Sequence, residues 1–387
     1  LKYPFKYFIL PVAALLLTII AGCSLEKKSR VNRALQNLTT RYNILFNANE
    51  LLQQKQDNYA STFIDAYDRV LRVYQDTISH IGTADKDLEA IVARANTIIS
   101  VKEQSHYTGD AYLLLGKAAF LNADYFNAVE YFSYIVRSYP TEAELIEKAR
   151  TWQVRALLYI NQQAQAKAVL DSALLNVDAK NRSAADVYGA ALQYYIDNRN
   201  YPTAEETAQQ AVDLCRNKQQ RLRWTFILAQ LQELNHKPAE AYESYTRVVK
   251  SNAPFEMAFN ADLNRIRIDD VQNGRNISRT DRLKTLLRNQ NNADFTDQIY
   301  YQLAELQLSN NQVDEAIKNY QLSVKNSTRN QTQKGLSYLR LADISFKNKG
   351  NYPIAKQYYD STLISLPSNY PGYITILKKA DNLQLLA

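Results

Sequence analysis

GDAYLLLGKAAFLNADYFNAVEYFSYIVRSYPTE, residues 109–142, spells out a helix, a tight turn and a second helix through the sizes of its side chains. Tyr112, Leu115 and Gly116 fall in the first helix, Ala128 and Phe132 in the second, and Pro140 closes the unit. Gly116 has no side chain to hold the second helix away, and Ala128 does the same from the other side. Tyr112 and Phe132 are then large enough to fill the wedge between the helices. Pro140 lacks the N–H that would continue the second helix.

The pattern returns along the chain. Trp152, Ala156, Tyr159 and Ala168 mark a second unit. Tyr188, Tyr195, Ala204 and Ala211 mark a third, and Leu228, Ala229, Ala241 and Tyr245 a fourth. Tyr300, Leu303, Ala304, Ala316 and Tyr320 give another. Tyr338, Leu341, Ala342, Ala355, Tyr359 and Pro367 give the last, with one extra residue in the turn near Lys349-Gly350 and a final helix after Gly372. The pattern resembles the 34-residue tetratricopeptide repeat. The expected fold is therefore all-α: a right-handed α-solenoid of tetratricopeptide helix hairpins with a helical N-terminal region. Residues 106–255 and 296–387 are read as repeat arrays, 256–295 as a degenerate helix pair and 23–105 as a non-repeat helical region. In such arrays each hairpin buries its apolar stripe against its neighbours. By resemblance, the first helices of the hairpins line a groove for a peptide or partner helix. Asp110, Leu113, Lys117, Phe120, Asp186, Gln193, Gln298, Tyr301 and Glu305 are the candidate lining residues.

At the N-terminus, Lys2 and Lys6 precede an apolar run from Phe8 to Ile20, broken only by Thr18. That run is the length of a signal-peptide core and short for a spanning helix. Ile20-Ala21-Gly22-Cys23 then resembles a lipobox. On that reading residues 1–22 are removed, and Cys23 carries acyl chains that tie the protein to a bilayer. Ser24, rather than an aspartate, after the cysteine favours the periplasmic face of the outer membrane. Loss of Lys2 and Lys6 takes the formal charge from +7 to +5, too little for a nucleic-acid binder by charge alone. The only other cysteine, Cys215, has no partner within the chain and is expected to be a buried apolar residue.

Catalytic chemistry is not written in the chain. His80, His106 and His236 lack metal-ligand spacing, and no phosphate-binding Gly loop, nucleophile elbow or cysteine–histidine motif occurs. No cofactor, nucleic acid or small-molecule substrate is expected; the expected partners are other proteins. The richest basic stretch holds Arg265, Arg267, Arg275, Arg279, Arg282, Lys284 and Arg288. It is read as an electrostatic dock for an acidic partner surface.

Residues Asn37-Leu38-Thr39-Thr40-Arg41-Tyr42-Asn43 and Phe46-Asn47-Ala48-Asn49-Glu50 add a narrower resemblance. Just after a lipobox and ahead of the repeats, they look like the start of the PorW/SprE lipoproteins of the Bacteroidetes. Ala48 stands where that family is expected to have glycine, and Leu45 where it is expected to have an aromatic residue. The resemblance implies an outer-membrane-anchored periplasmic adaptor of type IX secretion and gliding motility. Such an adaptor would connect the periplasmic ring to the outer-membrane translocon. Two other lipidated repeat proteins form the alternatives: a β-barrel assembly lipoprotein and a nutrient-binding lipoprotein of the SusD type. Leu35, Leu38, Tyr42, Leu45 and Phe46 recur at three- and four-residue steps, an amphipathic helical stripe. Leu383, Leu385 and Leu386 look like part of a terminal helix without a partner. Asp76-Thr77-Ile78, Asp171-Ser172-Ala173 and Asp360-Ser361-Thr362 resemble a short O-glycosylation sequon.

Overall fold

A computed structural model describes residues 29–76, 85–273, 276–368, 370 and 372–384. The lipobox with Cys23, Thr77-Ile78, His80, Arg275, Leu385 and Leu386 lie outside the described residues. The chain divides into two units, the division falling between Ala253 and Pro254. In the first unit the helices are α1 (Arg30–Thr39), α2 (Phe46–Thr62), α3 (Lys86–Val101), α4 (Thr108–Leu121), α5 (Tyr125–Ser138) and α6 (Ala143–Tyr159). They continue with α7 (Gln163–Leu175), α8 (Ala184–Asp197), α9 (Tyr201–Leu214), α10 (Lys218–Leu234) and α11 (Pro238–Val249). A wide π-helical turn, Thr40–Leu45, joins α1 to α2. The second unit holds α12 (Phe255–Asn273), α13 (Asn276–Arg288), α14 (Thr296–Ser309), α15 (Val313–Asn326), α16 (Gln331–Lys347), α17 (Tyr352–Ser365) and α18 (Tyr373–Gln384).

The architecture is a tetratricopeptide α-solenoid of helix hairpins, and its phase is set at the turns. Ala123, Asn161, Arg199, His236, Asn311 and Gly350 all have positive φ. The next N–H donates five residues back, Asp124 to Ala119, Gln162 to Leu157, Asn200 to Tyr195, Lys237 to Gln232 and Gln312 to Gln307, at 2.8–2.9 Å. This is the helix-closing geometry in which a left-handed residue satisfies the last carbonyls. Each residue after the left-handed one is also the N-cap of the following helix. At Gly350 the extra residue is absorbed by a donation six residues back, Asn351 to Ser345.

These turns follow one another at 38, 38, 37, 75 and 39 residues, so the repeat is longer than the expected 34. The longer first helices, 17 residues in α6, α10 and α16, account for much of the difference. The 75-residue step leaves room for one further hairpin, which α12 and α13 supply. The same spacing relates Ala128, Ala166, Ala204, Ala241, Ala316 and Ala355, each 0% exposed. It also relates Phe132, Leu170, Ala208, Tyr245, Tyr320 and Tyr359, four residues on and equally buried. Ala166 therefore occupies the crossing position assigned above to Ala168, which is exposed. Gly116 does what its size implies: a Cβ there would lie 2.4 Å from the Phe132 ring.

Cys215 is buried, its thiol pushed up to about 11 by burial. Leu383 packs with Ile376, Ala380, Tyr359 and Leu366, so this leucine has the partners that the sequence pattern withheld. In the second unit a buried polar knot ties α14 to α15 and α16. The Ser327 hydroxyl donates to Asp297 Oδ2 (3.0 Å), the Ser323 hydroxyl to the Asp297 carbonyl (2.8 Å), and Ser323 and Ser337 share a 2.7 Å bond.

Two measurements test this account. Gly116→Ala should destabilise the first unit by about 1–3 kcal/mol in chemical denaturation. Adding Phe132→Leu should recover part of that loss although Phe132→Leu alone is destabilising; additive losses would show that the two do not meet. Burial raises the Asp297 carboxyl from the ordinary 3.8 to about 6. The folded form thus holds its proton more tightly than the unfolded one. Stability of the second unit should fall as pH rises from about 4 through 6 and then level off. Asp297→Asn, whose amide can still pair with the Ser327 oxygen, should flatten that fall. It should raise hydrogen-exchange protection of α14 and α15 at pH 7 by on the order of 2–3 kcal/mol.

Candidate interaction groove

The non-repeat region was read as helical throughout, yet Phe63 to Asp76 forms no helix. This segment (the strap) lies along the face shared by α6, α8 and α10, with a turn at Tyr67-Asp68 and a bend at Val73-Tyr74. Leu71 and Val73 are two apart beyond the turn. Both are almost fully buried, at 1% and 2% exposed.

A chain outside helix and sheet has unpaired backbone groups, and burying them without partners would be costly. Two glutamines supply the partners. Gln230 of α10 accepts from Leu71 N–H (2.9 Å) and donates to the Arg69 carbonyl (2.7 Å). Gln193 of α8 accepts from Val73 N–H (2.8 Å). Two arginines hold the ends. Arg223 of α10 forks onto both oxygens of Asp65 (2.8 and 2.7 Å) and also donates to the Arg72 carbonyl. Arg155 of α6 donates from one nitrogen, Nη2, to both oxygens of Asp76 (3.0 and 2.9 Å) while lying 3.8 Å from the Tyr74 and Trp152 ring centroids. Tyr67 meets Phe226 edge to face at 5.4 Å, and the Tyr74 hydroxyl donates to the Asp186 carbonyl. A Cβ on Gly189 would stand 2.8 Å from Trp224 and 3.1 Å from the Tyr74 hydroxyl, so glycine makes room for core and strap together. The strap runs from α10 back to α6, opposite to the order of the repeats.

The contacts come from two rows of residues generated by the repeat. Asp110, Lys148, Asp186 and Arg223 recur at 38, 38 and 37 residues, and so do Lys117, Arg155, Gln193 and Gln230. Seven residues, two helical turns, separate the rows, so both face the same way. Sequence reasoning named Asp110, Lys117, Asp186 and Gln193 and missed Lys148, Arg155, Arg223 and Gln230. Stepping the named residues forward by the true repeat length reaches the missed ones.

The described strap stops at Asp76 on Arg155. Beyond it, Lys117 lies 5.1 Å from the Trp152 ring centroid and has no ion pair among the described residues. Burial, then the neighbouring Lys148 ammonium, lowers Lys117 to about 8. Burial raises the Asp110 and Asp186 carboxyls, the latter held by Gln220. Two other named residues are corrected: Leu113 and Phe120 are 6% and 0% exposed and belong to the core.

In the second unit, Glu305 accepts from Tyr320 (2.7 Å) and from Arg340 Nε (2.8 Å), with Tyr301 beside them. One repeat on, Asp343 accepts from Tyr359 (2.6 Å) and Lys379 (3.3 Å). Gln298 is nearly buried at the start of α14. The basic stretch does not form one free patch. Arg265 pairs with Asp262 (2.6 Å), Arg267 donates to Asn264, the buried Arg279 donates to Gln302 and Arg282 pairs with Asp269 (2.7 Å). Of this stretch Lys284 and Arg288 are exposed. Of the two sequon-like sites within the described residues, Asp171 pairs with Lys167 and Asp360 with Lys356, while Thr362 is fully buried.

A family model, TPR_6, the tetratricopeptide repeat, matches residues 110–141, which are α4, α5 and the turn between them. The chain is a tetratricopeptide-type protein. No curated protein matches it. Among solved structures, Pseudomonas aeruginosa pilF is 17% identical, with a TM-score of 0.37 over 72% of this chain and 97% of that one. Human IFIT1, as a dimer with PPP-AAAA, is 13% identical, with a TM-score of 0.40 over 78% and 69%. The Cut9–Hcn1 hetero-tetramer of APC/C gives 13% and 0.39 over 92% and 60%.

Within this tetratricopeptide array the strap is held by buried ion pairs. Arg223→Ala would leave Asp65 buried without its cation, a loss of about 3–5 kcal/mol. The expected readouts are faster amide exchange across Phe63–Asp76 and new tryptic cleavage after Arg69 or Arg72. Unchanged protection there would mean that the glutamines and Arg155 hold the strap unaided.

Proposed function

We propose that this protein is an outer-membrane-anchored periplasmic adaptor of type IX secretion and gliding motility, joining ring and translocon components through protein–protein contacts. Tetratricopeptide repeats are a protein-interaction scaffold, and the observation that carries the adaptor reading is the pair of inner-face rows. Their amides and guanidinium groups hold non-helical polypeptide in the Phe63–Asp76 stretch, a binding rather than a catalytic arrangement. The membrane and the machine come from the lipobox-like Ile20-Ala21-Gly22-Cys23 and from the resemblance of Asn37–Glu50. Because Phe63–Asp76 occupies the face of α6, α8 and α10, partners engage elsewhere. The end of the rows offers them Asp110 and Lys117, which have no ion pair among the described residues, beside Lys148, which pairs with Glu144 (2.7 Å), and the chain acts as a non-catalytic scaffold.

In vivo cross-linking followed by affinity capture from solubilised membranes tests the proposal. Ring and translocon proteins should be recovered, and Cys23→Ser should move the chain from the membrane to the soluble fraction. Recovery of a TonB-dependent transporter or of barrel-assembly proteins in their place would refute it.

A further inference from the structure

The first helix is built inside out. Asn32, Gln36 and Thr40 are buried at 7%, 3% and 0% exposed, whereas Val31, Leu35, Leu38, Tyr42 and Phe46 are 47–68% exposed. The buried Gln36 and the half-buried Asn37 have identifiable work, whereas the buried Thr40 hydroxyl has no hydrogen-bond partner among the described residues. Gln36 Oε1 accepts from Gln104 N–H (3.1 Å), and Asn37 Oδ1 accepts from His106 N–H (2.8 Å) and the Ser105 hydroxyl (3.2 Å). They fasten α1 to the connection between α3 and α4. The π-helical turn adds one residue to the inward stripe, which continues through Leu45, Ala48 and Leu52. Of the apolar stripe expected from the sequence, only Leu45 therefore points inward. The other four members, with Val31, form one outward face. The face is continuous, because Val31, Leu35, Leu38, Tyr42 and Phe46 follow steps of four, three, four and four.

The charges beside it have one sign. Between Ser29 and Asn49 the chain has Arg30, Arg33 and Arg41 and no acid. All three arginines are exposed. At 100° per residue, Arg30 and Arg41 lie next around the helix from Leu38, along the flank away from the buried side. Arg41 also stands 5.2 Å from the Tyr42 ring centroid. An apolar face with arginines on its flank and an aromatic residue at its edge suits the headgroup region of a bilayer.

We propose that the face of Val31, Leu35, Leu38, Tyr42 and Phe46 lies in the surface of an anionic phospholipid bilayer, with Arg30 and Arg41 against lipid phosphates. Charge complementarity selects the lipid surface as the occupant. Chain reach agrees, since six residues lie between Cys23 and Arg30 and the seven steps span at most about 25 Å when extended. The inference rests on the lipid-anchor reading for its biological setting but not for the contact itself. Acyl chains and this helix would be two attachments, and α1 would set how the repeats stand on the membrane.

The test uses the chain from Ser24 onward, which lacks leader and cysteine and keeps every described residue. Sedimentation is measured with vesicles of phosphatidylethanolamine and phosphatidylglycerol, and with vesicles of phosphatidylcholine alone. The chain should sediment with the anionic vesicles and be released by salt. Leu35→Glu with Leu38→Glu should lower the bound fraction at least tenfold, and so should Arg30→Ala and Arg41→Ala together. All four positions are exposed, and an unchanged thermal transition verifies the fold. No sedimentation, or sedimentation indifferent to these changes, overturns the proposal. If the leucine variants leave vesicle binding unchanged and abolish self-association, the face is a contact between two copies. Labelling of the full chain with radioactive palmitate is read separately: no labelling with vesicle binding intact would reject the lipid anchor alone.

Discussion

Reversal of the chain within a few residues, at every hairpin, governs most of what is distinctive in this protein. A left-handed residue closes one helix and the next residue caps the following one, so no slack remains between them. Ala123, Asn161, Arg199, His236 and Asn311 take this conformation although each carries a side chain, at roughly 1 kcal/mol apiece relative to glycine. The return is phase. After each of these turns the alanine at the crossing and the residue four positions on are equally buried. Because phase is kept, the inner positions of the first helices also align from hairpin to hairpin, and single side chains become rows.

The rows give the strap its site. Burying backbone outside helix and sheet demands a donor or acceptor for each N–H and C=O, and glutamine amides supply both from one side chain. Burying Asp65 and Asp76 demands cations, which Arg223 provides through a two-nitrogen fork and Arg155 through one nitrogen shared by both oxygens. Such pairs are better read as fixing register than as large net stabilisation, since desolvation offsets much of the attraction. A one-residue slip of the strap would move Leu71 and Val73 out of the core, take Leu71 N–H from Gln230 and Val73 N–H from Gln193, and separate both carboxylates from their arginines. The strap and rows thus specify one arrangement, and the chain demonstrates on itself the kind of polypeptide its inner face can hold.

The first helix follows a different rule. Its polar residues serve as fasteners to the connection between α3 and α4, which releases the apolar residues to the outside. A run of five exposed apolar side chains on one helix face has no counterpart among the repeat helices, whose apolar stripes are covered by neighbours. The segment that carries the family resemblance, Asn37–Glu50, spans both behaviours. Asn37, Thr40, Leu45 and Ala48 point inward or make fastening bonds, and Leu38, Tyr42 and Phe46 face out.

Reading the chain alone located the hairpins, the crossing glycine and alanines, the extra residue before Gly350 and the burial of Cys215. All of these follow from local spacing, because contacts within a hairpin join residues a few turns apart and leave a period in the sequence. The repeat length was read short and Ala168 was taken for Ala166, since the small residues around each crossing permit more than one register until the turns are seen. The strap, its two arginines and Gln230 were not legible. Gln230 and Leu71 stand 159 residues apart, and Arg223 and Asp65 158, with no period linking them. The outward turn of α1 and the capture of Arg265, Arg279 and Arg282 by their neighbours depended equally on what lay across the gap. Spacing along a chain reports which face of a helix is apolar; only tertiary contact decides whether that face is covered and which charges are already answered.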